Sequence, residues 1–248
     1  MPPPSPSSLQ PPASSLPRIV ILTGAGISAE SGLRTFRGGD GLWEQHRMED
    51  LATPEAFRRD PGLVQRFYNE RRRQLKSVQP NPAHAALARL DAEWPGELLL
   101  VTQNVDDLHD RAGSRRLLHM HGELRKARCQ DCGSVHAWED DIEPASSCPA
   151  CASSGRLRPH IVWFGEMPLE MDRIFAALEE CGLFLSIGTS GNVYPAAGFV
   201  QSVTPSARTI EINLEPGMVS QAFSEHRFGP ASLKVHEMVE ELLRVYPG

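Results

Sequence analysis

Apolar positions in this chain come in two patterns that alternate along it. Arg18–Thr23 (RIVILT) is short and almost continuously apolar, and similar runs recur at Glu97–Thr102 (ELLLVT), Leu183–Gly188 (LFLSIG) and Arg208–Leu214 (RTIEINL). A strand buried on both faces reads this way, because neither face turns toward water. Leu117–His121 and His160–Phe164 are weaker strand candidates. Helical spacing fills the intervals at Pro82–Leu90, Leu169–Glu180 and Ala231–Val245. Strands alternating with helices predict an α/β fold with a parallel sheet covered on both faces.

Two stretches break the alternation. Residues 38–79 are polar and carry no strong strand, and residues 128–159 hold four paired cysteines. Both read as insertions into the sheet, forming a smaller lobe with one helical and one metal-binding module. The sheet domain is then 18–37, 80–127 and 160–248. Residues 1–17 are rich in Pro and Ser and are expected to be a disordered tail. A cleft between lobes is a common place for a ligand.

Composition narrows the classes. The chain has 248 residues, 40% hydrophobic and 23% charged, which suits a globular protein with a sizeable core. No run approaches the roughly 20 apolar residues of a membrane helix. A net charge of −6 and only 6% aromatic residues argue against nucleic-acid binding. The first residues show no basic start followed by an apolar stretch, so no leader is expected and the cytoplasm is the expected location.

Four of the five cysteines form Cys129-x2-Cys132 and Cys148-x2-Cys151. That spacing predicts one tetrahedral zinc ion, and four thiolates leave no position for water, so the site is structural. Redox pairs and a nucleic-acid-reading zinc ribbon are the alternatives. Cys181 stands alone at a helix-to-strand junction.

Gly24-Ala25-Gly26-Ile27-Ser28-Ala29 follows the first strand and fits G-x-G-x-x-G/A. Such glycines let the backbone approach a pyrophosphate. A plain turn between packed elements is the other reading. A hydride-transferring enzyme needs a second strand ending in an acidic residue about 20 residues on. A glycine-rich polar loop stands there instead. Thr102-Gln103-Asn104-Val105-Asp106 follows the second apolar strand, where parallel strands face a ligand crevice. Its amides and carboxylate suit a ribose and a carboxamide, or they cap a helix. His119 and His121 end the next strand, and either could be a general base. Alternation puts both on one face and does not separate them.

Together these residues resemble the sirtuins of the bacterial type, NAD-dependent protein lysine deacylases, across about residues 18–245. The resemblance rests on Gly24 to Gly32 with Phe36-Arg37, on Thr102 to Asp106, on His121-Gly122, on the four cysteines, on Gly188-Thr189-Ser190 and on Ile212 to Glu215. It implies a doubly wound, Rossmann-like sheet and a zinc lobe. It implies that Gly24, Ala25, Gly26, Ser28, Glu30, Thr35, Phe36, Arg37 and Trp43 hold the pyrophosphate and nicotinamide of NAD. Gln103, Asn104, Val105 and Asp106 would contact nicotinamide and its ribose. Gly188, Thr189, Ser190, Asn213, Leu214, Glu215 and Ala231 would border the adenosine half. Val162, Phe164, Gly165, Glu166 and Val193 would flank an extended acylated-lysine peptide.

By the same resemblance, His121 is the general base and Asn104 the second catalytic residue. The acyl oxygen of the modified lysine displaces nicotinamide from the ribose. His121 then activates a ribose hydroxyl, giving free lysine and O-acyl-ADP-ribose. Arg34 and Thr35 replace the proline and aspartate that commonly precede Phe-Arg in the family. Tyr68 and Arg71 stand three apart and share a helix face. Both features resemble the branch that removes succinyl and malonyl groups, with the guanidinium gripping the acyl carboxylate. Without the resemblance, Arg71-Arg72-Arg73 reads as a solvated basic face. Other readings are deacetylation alone, protein ADP-ribosylation and a non-catalytic NAD sensor.

Overall fold

The computed structural model describes residues 16–35 and 47–246. Phe36, Arg37, Trp43 and residues 1–15 of the expected tail lie outside the described residues. The apolar runs become β1 (Ile19–Thr23), β2 (Leu98–Thr102), β7 (Leu183–Ile187) and β8 (Arg208–Asn213), and the first three are buried at every position. With β3 (Leu117–His119) and β9 (Glu225–Phe228) they form one sheet in the order β3-β2-β1-β7-β8-β9, with every pair parallel. This is the doubly wound order, and it reverses direction between β1 and β7. Ile19 and Ile21 enter one apolar core and Val20 and Leu22 the other, so alternate positions of one strand stabilise both faces. Each such side chain contributes about 1.5–3 kcal/mol on burial.

The first core lies under α5 (Pro82–Glu93) and α8 (Ala231–Val245). Helix α5 starts at a capping box in which Asn81 accepts from Ala83 N at 2.9 Å and its own N–H meets His84 Nδ1 at 3.3 Å. The second core takes α7 (Met171–Glu179) and a 3-10 turn over Ala196–Gln201. Between β1 and α5 lie α1 (Ala25–Ala29), α2 (Met48–Leu51), α3 (Pro54–Arg59) and α4 (Pro61–Leu75). Helix α6 (Leu108–Ala112) follows β2.

The smaller lobe has its own sheet, β5-β4-β6, made of β4 (Gly122–Cys129), β5 (Val135–Ala137) and β6 (Leu157–Ile161), all antiparallel. Of the weak strand candidate at 160–164, only residues 160–161 are strand, as the end of the antiparallel β6, and residues 162–164 lie beyond it. Residues 122–127 and 160–161, expected with the parallel sheet, pair here too. Sequence periodicity missed β4 because Glu123, Arg125, Lys126 and Arg128 face outward and a register shift between Glu123 and Ala127 interrupts the alternation. Strand β9 was missed because, as a polar edge strand, it alternates half-buried and exposed residues.

Helix α4 joins the two modules of the lobe. Asp60 caps it, accepting from Leu63 N at 2.8 Å. Its inner face carries polar bolts: Gln65 Nε2 donates to Leu157 O at 2.8 Å, Asn69 exchanges hydrogen bonds with Ile142, and Arg72 Nε donates to Leu124 O at 2.7 Å. No helix among the described residues is long and apolar enough to cross a membrane.

Candidate active site and zinc centre

All six strands of the large sheet run the same way, so their C-terminal ends share one edge. At the reversal point the backbones touch. Gly24 N donates to Ile187 O at 2.9 Å and Gly26 N to Gly188 O at 2.8 Å. A Cβ on Gly24 would meet Gly188 O at 2.7 Å, and one on Gly26 would meet Gly188 Cα at 2.7 Å. The glycine turn thus serves close packing as well as an open approach for a ligand. Helix α1 is a single short turn, so its dipole adds little to anion binding.

Behind the turn lies a buried polar network. Ser28 Oγ donates to Asp106 Oδ2 at 3.1 Å and accepts from Asn104 Nδ2 at 3.1 Å. Asn104 Nδ2 also reaches Gly24 O at 3.1 Å, tying β2's end to the glycine turn. His84 accepts at Nδ1 from Asn81 N, so its Nε2 carries the hydrogen that faces Ser28 Oγ at 3.4 Å. Burial drives the His84 pKa down to about 4 and raises that of Asp106. Asp106 also accepts from Leu108 N at 3.1 Å just before α6, whose N-cap position is Asp107 rather than Asn104 or Asp106. Val105 is buried and its carbonyl accepts from Leu124 N, which joins the crevice to the small lobe.

The two histidines that alternation left together now differ. His119 Nε2 lies 2.9 Å from Asp110 Oδ2 and 3.7 Å from Glu123 Oε1, and the Asp110 pairing helps raise its pKa against a desolvation cost. Its ring is committed to an ion pair. His121 Nδ1 lies 3.1 Å from the carbonyl of Gln103. A carbonyl only accepts, so Nδ1 holds the hydrogen and Nε2 keeps its lone pair. Burial lowers its pKa, leaving the ring neutral and basic at pH 7.

A small open cleft is lined by Ala25, Ser28, Leu33, Arg34, Arg71, Asn104, Val105 and Asp106. It brings together residues from the glycine turn, the β2 end and α4. The three arginines of α4 do not form one solvated face. Arg71 is buried and lines the cleft, Arg72 is the buried bolt, and Arg73 pairs with Asp141 at the surface. Tyr68 is buried beside Trp163, whose Nε1 donates to its hydroxyl at 3.0 Å.

The remaining candidates ring this edge. Val162 N donates to His121 O and Phe164 N to Ala52 O, both at 2.9 Å. Gly165 turns with φ +90°, and Glu166 accepts from Arg158 and from Trp163 N. Val193 is half-buried. Asn213 Nδ2 donates to Thr189 O at 2.9 Å, which links the loops after β7 and β8, while Ser190, Leu214 and Glu215 are exposed. Glu30 accepts from Ser232 N and Oγ, which places its carboxylate on the start of α8 beside the buried Ala231. Thr35 is half-buried at the end of the described segment. Sequence reasoning missed His84 and His109, because isolated buried residues leave no spacing signal.

The four cysteines converge. Cys129 Sγ is 3.8 Å from Cys151 Sγ and Cys132 Sγ is 3.7 Å from Cys148 Sγ. A tetrahedron with Zn–S bonds of about 2.3 Å has edges of about 3.8 Å, so the four thiols fit one zinc ion without rearrangement. Ser134 Oγ lies 2.9 Å from Cys132 Sγ and from His136 Nε2, an outer layer of hydrogen bonds around the sulfurs.

Comparison with known proteins agrees with this geometry. The model of the Sir2 family matches residues 24–195. Proteins described as NAD-dependent protein deacylase are similar: one from Salmonella typhimurium is 56% identical over 231 residues, 92% of this chain and 85% of its own. One from Escherichia coli K12 is 57% identical over 237 residues, 94% of this chain and 85% of its own. A solved complex of a Sir2 homologue with NAD superposes with a TM-score of 0.84 at 39% identity, covering 94% of this chain and 92% of that one. A Sir2 structure bound to a myristoylated histone peptide gives a TM-score of 0.72 at 30% identity, with 94% of each chain covered. The matching model, the shared fold and the assembled crevice lead to one conclusion: this chain belongs to the Sir2 family.

Proposed function

We propose that the protein is an NAD-dependent protein-lysine deacylase that removes succinyl, malonyl and acetyl groups, releasing nicotinamide and O-acyl-ADP-ribose. The observation that carries this reading is the His121 ring, neutral and held through Nδ1 so that Nε2 can take a proton at the same strand edge as Asn104 and Asp106. Such a base is worth typically 10²–10⁴-fold in rate. The relatives named as NAD-dependent protein deacylases support the same chemistry.

NAD is the co-substrate. Gly24, Ala25, Gly26 and Ser28 hold its pyrophosphate and nicotinamide, Gln103, Asn104, Val105 and Asp106 contact the nicotinamide and its ribose, and Gly188 to Ser190, Asn213 to Glu215 and Ala231 border the adenosine half. Glu30, Thr35, Phe36, Arg37 and Trp43 complete the nicotinamide side. The acylated peptide lies beside Val162, Phe164, Gly165, Glu166 and Val193, between the domain formed by the parallel sheet and the zinc lobe. Arg71 and Arg34 line the cleft, and this cationic lining favours an acyl group ending in a carboxylate. Zinc is structural. The four thiols have to stay reduced to hold it, which supports a reducing compartment such as the cytoplasm.

The test is mass spectrometry of matched acetyl- and succinyl-lysine peptides, each with and without NAD. Both should react only with NAD, and His121→Ala should abolish both reactions. Arg71→Met should weaken desuccinylation at least tenfold and spare deacetylation. NAD-independent turnover, or full activity of His121→Ala, overturns the deacylase reading. Unchanged desuccinylation by Arg71→Met overturns the carboxylate-gripping role.

A further inference from the structure

The Trp163 side chain is 2% exposed in residue terms, and its single N–H is spent on the Tyr68 hydroxyl at 3.0 Å. We propose that Trp163 is a specificity-determining positioning residue: by filling the acceptor side of the Tyr68 hydroxyl, it leaves that hydroxyl able only to donate, toward an anionic acyl tip. The proposal rests on the carboxylate reading of Tyr68 and Arg71 and adds the group that sets it.

A phenol has one donor and a small acceptor capacity, and its O–H prefers the plane of the ring. With the indole N–H on one side of the oxygen, the proton has to turn to the other. Among the described residues nothing accepts the Tyr68 proton. Burial pushes the Tyr68 pKa up to about 12, so the group stays a neutral donor. Arg71, three positions along the same helix, acts on Tyr68 through its charge and lines the cleft. A carboxylate can take both a guanidinium and a phenol O–H. An acetyl group presents only a methyl there and gains nothing from the oriented hydroxyl.

The indole cannot easily turn away. The Arg158 guanidinium lies 3.5 Å from the centroid of the Trp163 ring and donates to the two Glu166 oxygens at 2.7 and 2.9 Å. Glu166 in turn accepts from Trp163 N at 2.9 Å. The Phe57 ring sits 5.2 Å away on the lobe side. The residues on either side of Trp163 are tied to His121 and Ala52 through their backbone N–H groups. One rigid segment therefore borders the peptide path and fixes the polarity of Tyr68.

The experiment compares kcat/KM for matched succinyl and acetyl peptides in Trp163→Phe, Tyr68→Phe, the double variant and Arg71→Met. Trp163→Phe should cost about 5–10-fold on the succinyl peptide, mainly through KM, as expected for one buried hydrogen bond. The acetyl peptide should change less than about twofold, and the double variant should be no worse than Tyr68→Phe. Equal losses on both peptides, or additive losses in the double variant, overturn the proposal and make Trp163 mere packing. Where Phe disturbs folding, benzothienylalanine at position 163 keeps the bicyclic shape without the N–H and gives the same reading. If Arg71→Met leaves desuccinylation intact while Trp163→Phe is selective, the Arg71 role falls and the Trp163 role stands. The opposite pair of results removes Trp163 alone.

Discussion

The two sheets of this molecule are held by different means. In the large sheet the strands are largely apolar on both faces, and the buried polar groups behind their ends are mostly neutral: Thr23 bonds Thr102 and His109, while Ser28 bonds His84 and Asn104. In the small lobe the helical module has its own apolar core around Phe57, Val64, Phe67 and Leu75, whereas the zinc module has only a short cluster around Ala127, Ile142 and Leu157, supplemented where α4 meets it by polar and charged bolts such as Arg72. A module with so little apolar area needs a metal and well-placed hydrogen bonds.

The sharpest way to break this comparison is to remove zinc. Structural zinc sites contribute about 10–16 kcal/mol to folding in small peptides, far more than the lobe's apolar cluster can replace. Chelation under reducing conditions should expose residues 130–156 to proteases while the large sheet keeps its protection in hydrogen exchange. Equal loss of protection in both sheets would show that the lobe and the sheet fold as one unit. Unchanged protection everywhere would show that the lobe holds without the metal.

The same contrast decides what the sequence disclosed. Strands β1, β2 and β7 were readable because burial on both faces keeps them almost continuously apolar, and β8 because Ile210 and Ile212 mark a buried run despite its polar positions. The Cys-x2-Cys pairs were readable because metal geometry fixes their spacing. Strand β4 was hidden by its outward charges, and β9 by its place at the edge. At the site, Asn104 and Asp106 were located by their position after a strand and His121 by the resemblance, and the fold adds the physical difference between the two histidines, a carboxylate contact at His119 and a carbonyl contact at His121. The Arg71-Arg72-Arg73 run shows the limit most clearly. Three identical side chains in a row have three different environments, set by helix phase and by which element faces each one.

Glycines with positive φ sharpen the comparison at smaller cost. Gly188 has φ +63°, and a Cβ there would lie 2.4 Å from Ile27 N. Gly133, in the turn after Cys132, has φ +74° with nothing within 4 Å of a Cβ. Gly188→Ala therefore combines left-handed strain with a backbone clash and should cost about 3 kcal/mol or more. Gly133→Ala carries the strain alone and should cost about 1–2 kcal/mol. Urea unfolding of the two variants measures the difference, and equal costs would mean the β1–β7 contact relaxes freely.

Acid gives the gentlest lever, and it acts first on the large-sheet side. His84 is fully buried with its pKa lowered from 6.5 to about 4 by desolvation, and His109, its ring 4.8 Å away, is lowered too. The unfolded chain therefore takes up protons that the native state refuses. Their contribution is complete above about pH 6.5, shrinks as pH falls from there toward 4, and for His84 is gone below that value. Through this window each histidine should cost about 1.4 kcal/mol per pH unit. The His119–Asp110 pair runs the other way, since its raised pKa stabilises the fold below 6.5 and fades as pH rises through the folded value. Asp106, held up by burial and joined to His84 through Ser28, is the acidic group that faces this pair of rings. Urea titrations between pH 7.5 and 5.5 should show the loss, and His84→Gln should flatten the slope, with His109, His121 and His160, also lowered by burial, carrying the rest. Zinc release monitored in parallel separates this effect from protonation of the thiols. An unaltered slope in His84→Gln would mean that the neutral network behind the glycine turn opens to water as easily as the charged lobe does.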